Sequence, residues 1–365
     1  MLVACPLRGP SAFLPGHLAV LRVGDGVVDL QLKQAPVFID QFAPTHLNVV
    51  PSYTVGIPSN GPQTLFMNGH AATEGILALS ADRRYLALAG FGGIDLFQTN
   101  GTPSLLNISR VFCTVDAAGK THTTVYEKTP YSPPFDTPYV EKMNPRGAVT
   151  DGTNHFWGCG NAWGTIFYQP GGPVGPVSFE DIPNSRAAKI IGNTLYVSLN
   201  GSDALASDLP AGIFSFVDAN NKPAPLPETA GTMLELELKA PEPYDRIAGF
   251  DMNREGTIAY LADTVAGIQK YVNVHGVWRF AYNIAIPQII PAGQNRGGGC
   301  FDVAVDFSRP VPVIYATTTE GYGGFVNSNR VVRIVDTNAL ATATTLAQAG
   351  STNIAYRGIA FTPQP

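Results

Sequence analysis

Short runs that open on a charged side chain and continue in small and apolar ones recur along this 365-residue chain. They are led by Glu74, Arg146, Arg186, Arg246 and Arg357. Guanidinium forks suit planar oxyanions, so these arginines gathered in one place would form a cationic pocket for a carboxylate, sulfate, phosphate or uronate. Arg296, just upstream of a related run at Cys300, joins that set. Glu74 lies four residues after His70, and a carboxylate beside an imidazole can move protons at neutral pH. Tyr244, two residues before Arg246, is a further proton donor, and Trp163 and Tyr131 can stack on a sugar or aromatic ring.

Each of these residues also has a plainer reading. Arginines are costly to bury unpaired, so they can instead bond to Glu74, Asp251, Asp302 or backbone carbonyls and hold strands together. His70 can be a solvated loop residue. Trp157, Trp163, Tyr131, Tyr139 and Tyr322 can simply pack loops, and His155 reads as a core residue on a second strand.

What must position these residues is a repeated two-hairpin unit. Glu74–Ser80 is followed by the turn Ala81–Arg84, Arg146–Thr150 by Asp151-Gly152, and Arg186–Ile191 by Gly192-Asn193. Arg246–Met252 is followed by Asn253–Gly256, and Cys300–Asp306 by Phe307–Pro310. A second strand and two more short strands come after each turn, with inner strands spaced about 40 to 70 residues apart, in the range of propeller blades. The final run, Arg357–Phe361, has no partners after it, whereas His17–Val23, Pro36–Phe42 and Val49–Ile57 have no inner strand before them. Joined, they complete a ring and tie down both chain ends. The expectation is an all-β, six-bladed β-propeller spanning residues 1–365 as one domain, or seven blades if 91–145 hides another. Residues 1–16 form a surface strap, 59–72 a Gly/Asn/Pro loop, and 128–145 a stiff Pro- and Tyr-rich wall on the channel-mouth face. The long loops fall on the face where inner strands begin, and binding usually resides on such loops.

Composition narrows the function. Charged residues are 14%, with 38 glycines and 30 prolines, which favours short strands and tight turns over long helices. A net charge of −5 leaves no electrostatic footprint for nucleic acid, and no apolar run approaches the length of a membrane helix. Cys5, Cys113, Cys159 and Cys300 match no metal-ligand spacing; buried thiols and one or two disulfides both remain open. Few charges and sequons at Asn100, Asn107 and Asn200 point to a secreted or extracytoplasmic protein. Walker, GxGxxG, GxSxG and HExxH motifs are absent.

Glu74–Leu86, Arg146–Gly152, Asn193–Ser198, Ala266–Tyr271 and Tyr356–Phe361 resemble a family of secreted, largely uncharacterised propeller proteins. That resemblance implies an extracytoplasmic propeller and no agreed activity. A looser likeness to propeller lyases and lactonases implies acid, base or metal ligands at the channel mouth, but arginine dominates here, which argues against a divalent metal.

Two function classes follow. One is an acid–base lyase or isomerase acting without cofactor on an anionic or phenolic small molecule. In it Arg146, Arg186, Arg246 and Arg357 hold the anion and Glu74, His70 or Tyr244 moves protons. The other is a monomeric, non-catalytic propeller that uses the same face for an anionic glycan or a protein partner.

Overall fold

The computed structural model describes residues 12–365 except 28, 31–33, 48, 70, 72, 93–108, 128–143, 161–163, 178–184, 202–208, 243–244, 288–297, 321–328 and 351–352. Among the described residues the chain is all β, with no α-helix.

Four sheets are separate, four-stranded and antiparallel, each built from consecutive strands. The first comprises β9 (Pro145–Thr150), β10 (Phe156–Gly160), β11 (Thr165–Tyr168) and β12 (Val174–Pro176). The second comprises β13 (Ser185–Ile191), β14 (Thr194–Leu199), β15 (Gly212–Asp218) and β16 (Thr232–Lys239). The third comprises β17 (Ile247–Met252), β18 (Ile258–Asp263), β19 (Gly267–Val274) and β20 (Val277–Ile284). The fourth comprises β21 (Cys300–Asp306), β22 (Val313–Thr318), β23 (Arg330–Val335) and β24 (Thr344–Gln348). The inner-strand runs at Arg146, Arg186, Arg246 and Cys300 therefore fall where the spacing predicts.

The remaining strands form one nine-stranded sheet. It contains β1 (Leu18–Val23), β2 (Ala35–Phe42), β3 (Tyr53–Gly56), β4 (Leu65–Met67) and β5 (Ala78–Leu79). The others are β6 (Tyr85–Gly92), β7 (Arg110–Asp116), β8 (Thr121–Glu127) and β25 (Ala355–Phe361). Four separate blades, rather than six, are thus distinct. The cause is β4, three buried apolar residues inside the segment expected to be a loop. It pairs with β2 through Ala35↔Met67 and with β6 through Phe66↔Phe91, fusing the two groups of strands on either side. β1 runs antiparallel to both β2 and β25, so the two ends of the described chain share a sheet.

β5 is shorter than the Glu74–Ser80 strand expected. The backbone N–H groups of Gly75 and Ile76 both donate to the Arg146 carbonyl on β9, each at 3.0 Å, so this half of the run bonds sideways to its neighbour. Inner strands touch in succession: β5 with β9, β9 with β13, β13 with β17, β17 with β21, β21 with β25, and β25 with β5. This closed, propeller-like arrangement places apolar clusters between successive sheets, for example Trp157, Phe214 and Val197 in one and Tyr260, Ile314 and Val303 in another. Trp157 is fully buried and its indole N–H donates to the Pro227 carbonyl at 2.7 Å, which makes it a core residue. His155 lies in the turn before β10 rather than in the core, its Nδ1 3.0 Å from Asp151 Oδ2.

Candidate functional site

On the face where inner strands begin, the structure brings Glu74, Arg357, Arg146 and Arg110 together. Glu74 is completely buried. Its Oε2 accepts from the Asn68 N–H at 2.9 Å, while its Oε1 has no partner among the described residues. Burial pushes the carboxyl up to about 7, against the opposing pull of Arg357, the Asn68 N–H, Arg146 and Arg110. A carboxyl poised there can both take and give a proton at neutral pH.

Arg357 is 3% exposed and serves as a strut. Its guanidinium donates to the carbonyls of Asn68 and Gly69, both at 3.0 Å, and of Glu74 at 3.4 Å. These bonds carry β25 onto the segment that leads into β5. Gly75 makes the approach feasible: it holds φ +97°, and a Cβ there would stand 3.0 Å from Arg357 Cδ. Arg146 continues the pattern, its Nη1 3.5 Å from the Ser185 carbonyl at the start of β13. Arg186 is buried as well, at 7% exposure. Arg246 differs. It is exposed, and its backbone N–H donates to Asp263 Oδ2 at 2.9 Å. Arg110, which opens β7, was not singled out by sequence; it is 2% exposed and stacks its guanidinium over Phe91 at 5.5 Å. His70, Tyr244, Arg296, Trp163 and Tyr131 lie outside the described residues, as do Cys5, Asn100, Asn107 and most of the 128–145 wall. Asn200 is described, and its side-chain amide donates to the Ile247 carbonyl at 3.3 Å.

Deeper in the channel a second polar group appears. Lys189 on β13 bonds the Val303 carbonyl at 3.0 Å and Asp302 Oδ1 at 3.4 Å, both on β21. Because β17 stands between β13 and β21 in the ring, this side chain reaches past its neighbouring blade. Asp302, fully buried, also accepts from Ile359 N on β25 at 3.0 Å and from Leu77 N. Burial raises its carboxyl to about 6, with Lys189 the chief opposing influence. Asp251 on β17 accepts from Met252 N at 2.9 Å and from Val305 N on β21 at 2.8 Å. The internal pairing expected of the arginines with Asp251 and Asp302 is thus made by Lys189 and backbone amides. A signal existed in the sequence: three successive inner strands each carry a charged residue, Lys189, Asp251 and Asp302, flanked by apolar or small ones.

Beyond this layer, at the face of the tight turns, opens a funnel of about 720 Å³. Cys113, Cys159 and Cys300 are free and buried, and burial raises each thiol well above its usual range, leaving them inert packing groups. Among the described residues no group of three or more His, Cys, Asp or Glu could hold a metal ion.

The fold therefore defines an all-β, propeller-like protein with buried charge along its axis. No family model and no curated protein matches the chain. Among solved structures, a candidate 6-phosphogluconolactonase from Bacteroides fragilis is similar at 14% identity and a TM-score of 0.48, covering 90% of this chain and 81% of that one. A candidate 6-phosphogluconolactonase from Bacteroides uniformis follows at 13% identity and a TM-score of 0.44, covering 92% and 83%. A protein of unknown function from Bacteroides thetaiotaomicron is similar at 8% identity and a TM-score of 0.44, covering 89% and 70%.

Proposed function

We propose that the chain is a six-bladed propeller enzyme that uses acid–base chemistry of the lyase or isomerase type on a small anionic molecule, at the face where its inner strands begin. In this reading the nine-stranded sheet counts as two blades: β25 with β1, β2 and β3, and β5 with β6, β7 and β8, bridged by β4. The observation that carries the functional reading is Glu74: a buried carboxyl with one oxygen left without a partner among the described residues and a proton affinity close to neutral. Arg146 and Arg186 supply the positive field that favours an anion nearby, and Arg357 positions Glu74 through the backbone it braces. His70 and Tyr244, next in sequence to Gly69 and Asp245, are the further proton carriers of the proposal.

A second reading, a non-catalytic propeller that binds an anionic glycan or a protein partner, has one observation in its favour. Arg357 already spends donors on three backbone carbonyls, as a structural brace would.

Proton abstraction is the first step of the enzymatic reading, so it is tested in deuterium oxide with a panel of uronates and phenolic acids followed by proton NMR. The protein should catalyse deuterium exchange into at least one anion. Glu74→Gln should slow that exchange by roughly 100-fold or more, the contribution typical of a positioned acid–base group. Exchange that is absent, or undiminished in Glu74→Gln, favours the binding propeller.

A further inference from the structure

We infer that the funnel at the tight-turn face is a second, independent binding site, for a small organic anion with an apolar body such as an aryl phosphate or aryl carboxylate. At about 720 Å³ it has the size of a small-molecule site, and its walls are mixed in the way such sites are. Leu77, Leu79, Ile191, Met252 and Phe361 supply apolar surface. Charged residues sit at two levels, Lys189 and Asp251 on the strands and Arg83, Arg254 and Glu255 in the turns.

The sign of the ligand follows from which charges are already satisfied. Asp251 accepts two backbone amides, and Asp306, also in the wall, is taken up by Ser308 and Arg309. An ammonium has three donors. Lys189 uses two of them, on Asp302 and Val303, while its side chain is only 12% exposed, so one donor of a nearly buried cation remains for the funnel. Neither Arg83 nor Arg254 makes a side-chain hydrogen bond or a salt bridge among the described residues. Against these three cationic donors stands Glu255, likewise without a partner among the described residues.

Arg83 supplies an independent observation. Its φ is +64°, in the left-handed region where a side chain strains the backbone. The turn after β17, closed by the same backbone bonds, places Gly256 at the equivalent position with φ +62°. Glycine would therefore serve the turn better. Arginine there puts a guanidinium at the funnel, near enough to Asp251 to favour that carboxylate's charged form. Strain kept where a strain-free residue would do is the mark of a position held for its side chain.

The test is calorimetric titration with phenyl phosphate and benzoate, with benzylamine as the opposite charge. The two anions should bind and benzylamine should not. Arg83→Gly should raise the melting temperature by a degree or more yet weaken phenyl phosphate at least tenfold, and Ala81→Trp should abolish binding by filling the funnel. Three results each overturn the inference: no heat with either anion, parental affinity in both variants, or loss of binding in Arg146→Ala with retention in Arg83→Gly. The last would assign the anion to the opposite face while leaving the Glu74 proposal standing.

Discussion

The two ends of the channel handle charge in opposite ways. Where inner strands begin, Glu74, Arg110, Arg146, Arg186 and Arg357 are all buried, and the guanidinium of Arg357 is laid onto the backbone of the next blade. Where inner strands end, Arg83 and Arg254 face a funnel. The difference comes from how the backbone is finished at each end. Tight turns satisfy themselves: Asn253 Oδ1 takes the N–H groups of Thr257 and Ile258, and Asp151 and Asp306 do the same for their own turns. At the strand starts some closure is local, as where Asp263 accepts from the N–H groups of Val265 and Ala266, but Arg357 and Arg146 also cross between blades to backbone carbonyls. Charge is thus mostly buried and cross-braced where inner strands begin, with Arg246 the exposed exception, and lines an open funnel where they end.

The largest effect should come from removing the strand that contributes to both ends. Deleting residues 355–365 strips β25, with its bonds to Asp302, Thr317 and Asn329, and should abolish the cooperative thermal transition. A shortened chain that still melts cooperatively would break the closure account. Next, Asp302→Ala removes the carboxylate that joins β21 to β25, to Leu77 and to Lys189. It should cost roughly 3–5 kcal/mol in urea unfolding, because it leaves a nearly buried lysine without its counter-charge. Asp306→Ala, in a turn at the funnel, should cost only about 1 kcal/mol.

The pH dependence reports the buried carboxyls of the channel. Burial raises Glu74 from its ordinary 4.5 to about 7 and Asp302 from 3.8 to about 6. In each window the folded chain keeps a proton that the unfolded chain has released. Stability from these groups is therefore complete below their unfolded values and lost as pH rises through the folded ones. Moving from pH 8 to 5 should stabilise the protein, Glu74 alone contributing up to roughly 3 kcal/mol, and Glu74→Gln should flatten the profile. A profile unchanged in Glu74→Gln would place the titration elsewhere. The smallest effect is Arg83→Gly, which relieves a left-handed backbone and should stabilise the fold by about 1 kcal/mol.

Much of this architecture is legible in the chain itself. A charged residue leading a small, apolar run marks the inner strands at Arg146, Arg186, Arg246 and Arg357, and the unpartnered final run foretells the pairing of β1 with β25. What stays hidden is whatever depends on a neighbour distant in sequence. Alternation tells which face of a strand is buried but not what lies across the channel, so Asp251 and Asp302 read as partners for the arginines and Lys189 goes unnoticed as the cation beside them. Arg246 shares the sequence pattern of its buried counterparts yet is exposed, because a leading position fixes a residue's place and not its partner. β4 escapes notice because three apolar residues between turn-forming ones carry no periodicity.

The claim that a neutral-range carboxyl sits where the inner strands begin is tested most directly by the titration of Glu74 itself. Carbon-13 NMR of the labelled side-chain carboxyl, assigned by its disappearance in Glu74→Gln, reads the midpoint without any substrate. A midpoint near 7 is the expected result. A midpoint near the ordinary 4.5 would mean that Glu74 is fully ionised at neutral pH among its arginines, a structural counter-charge and not a proton carrier.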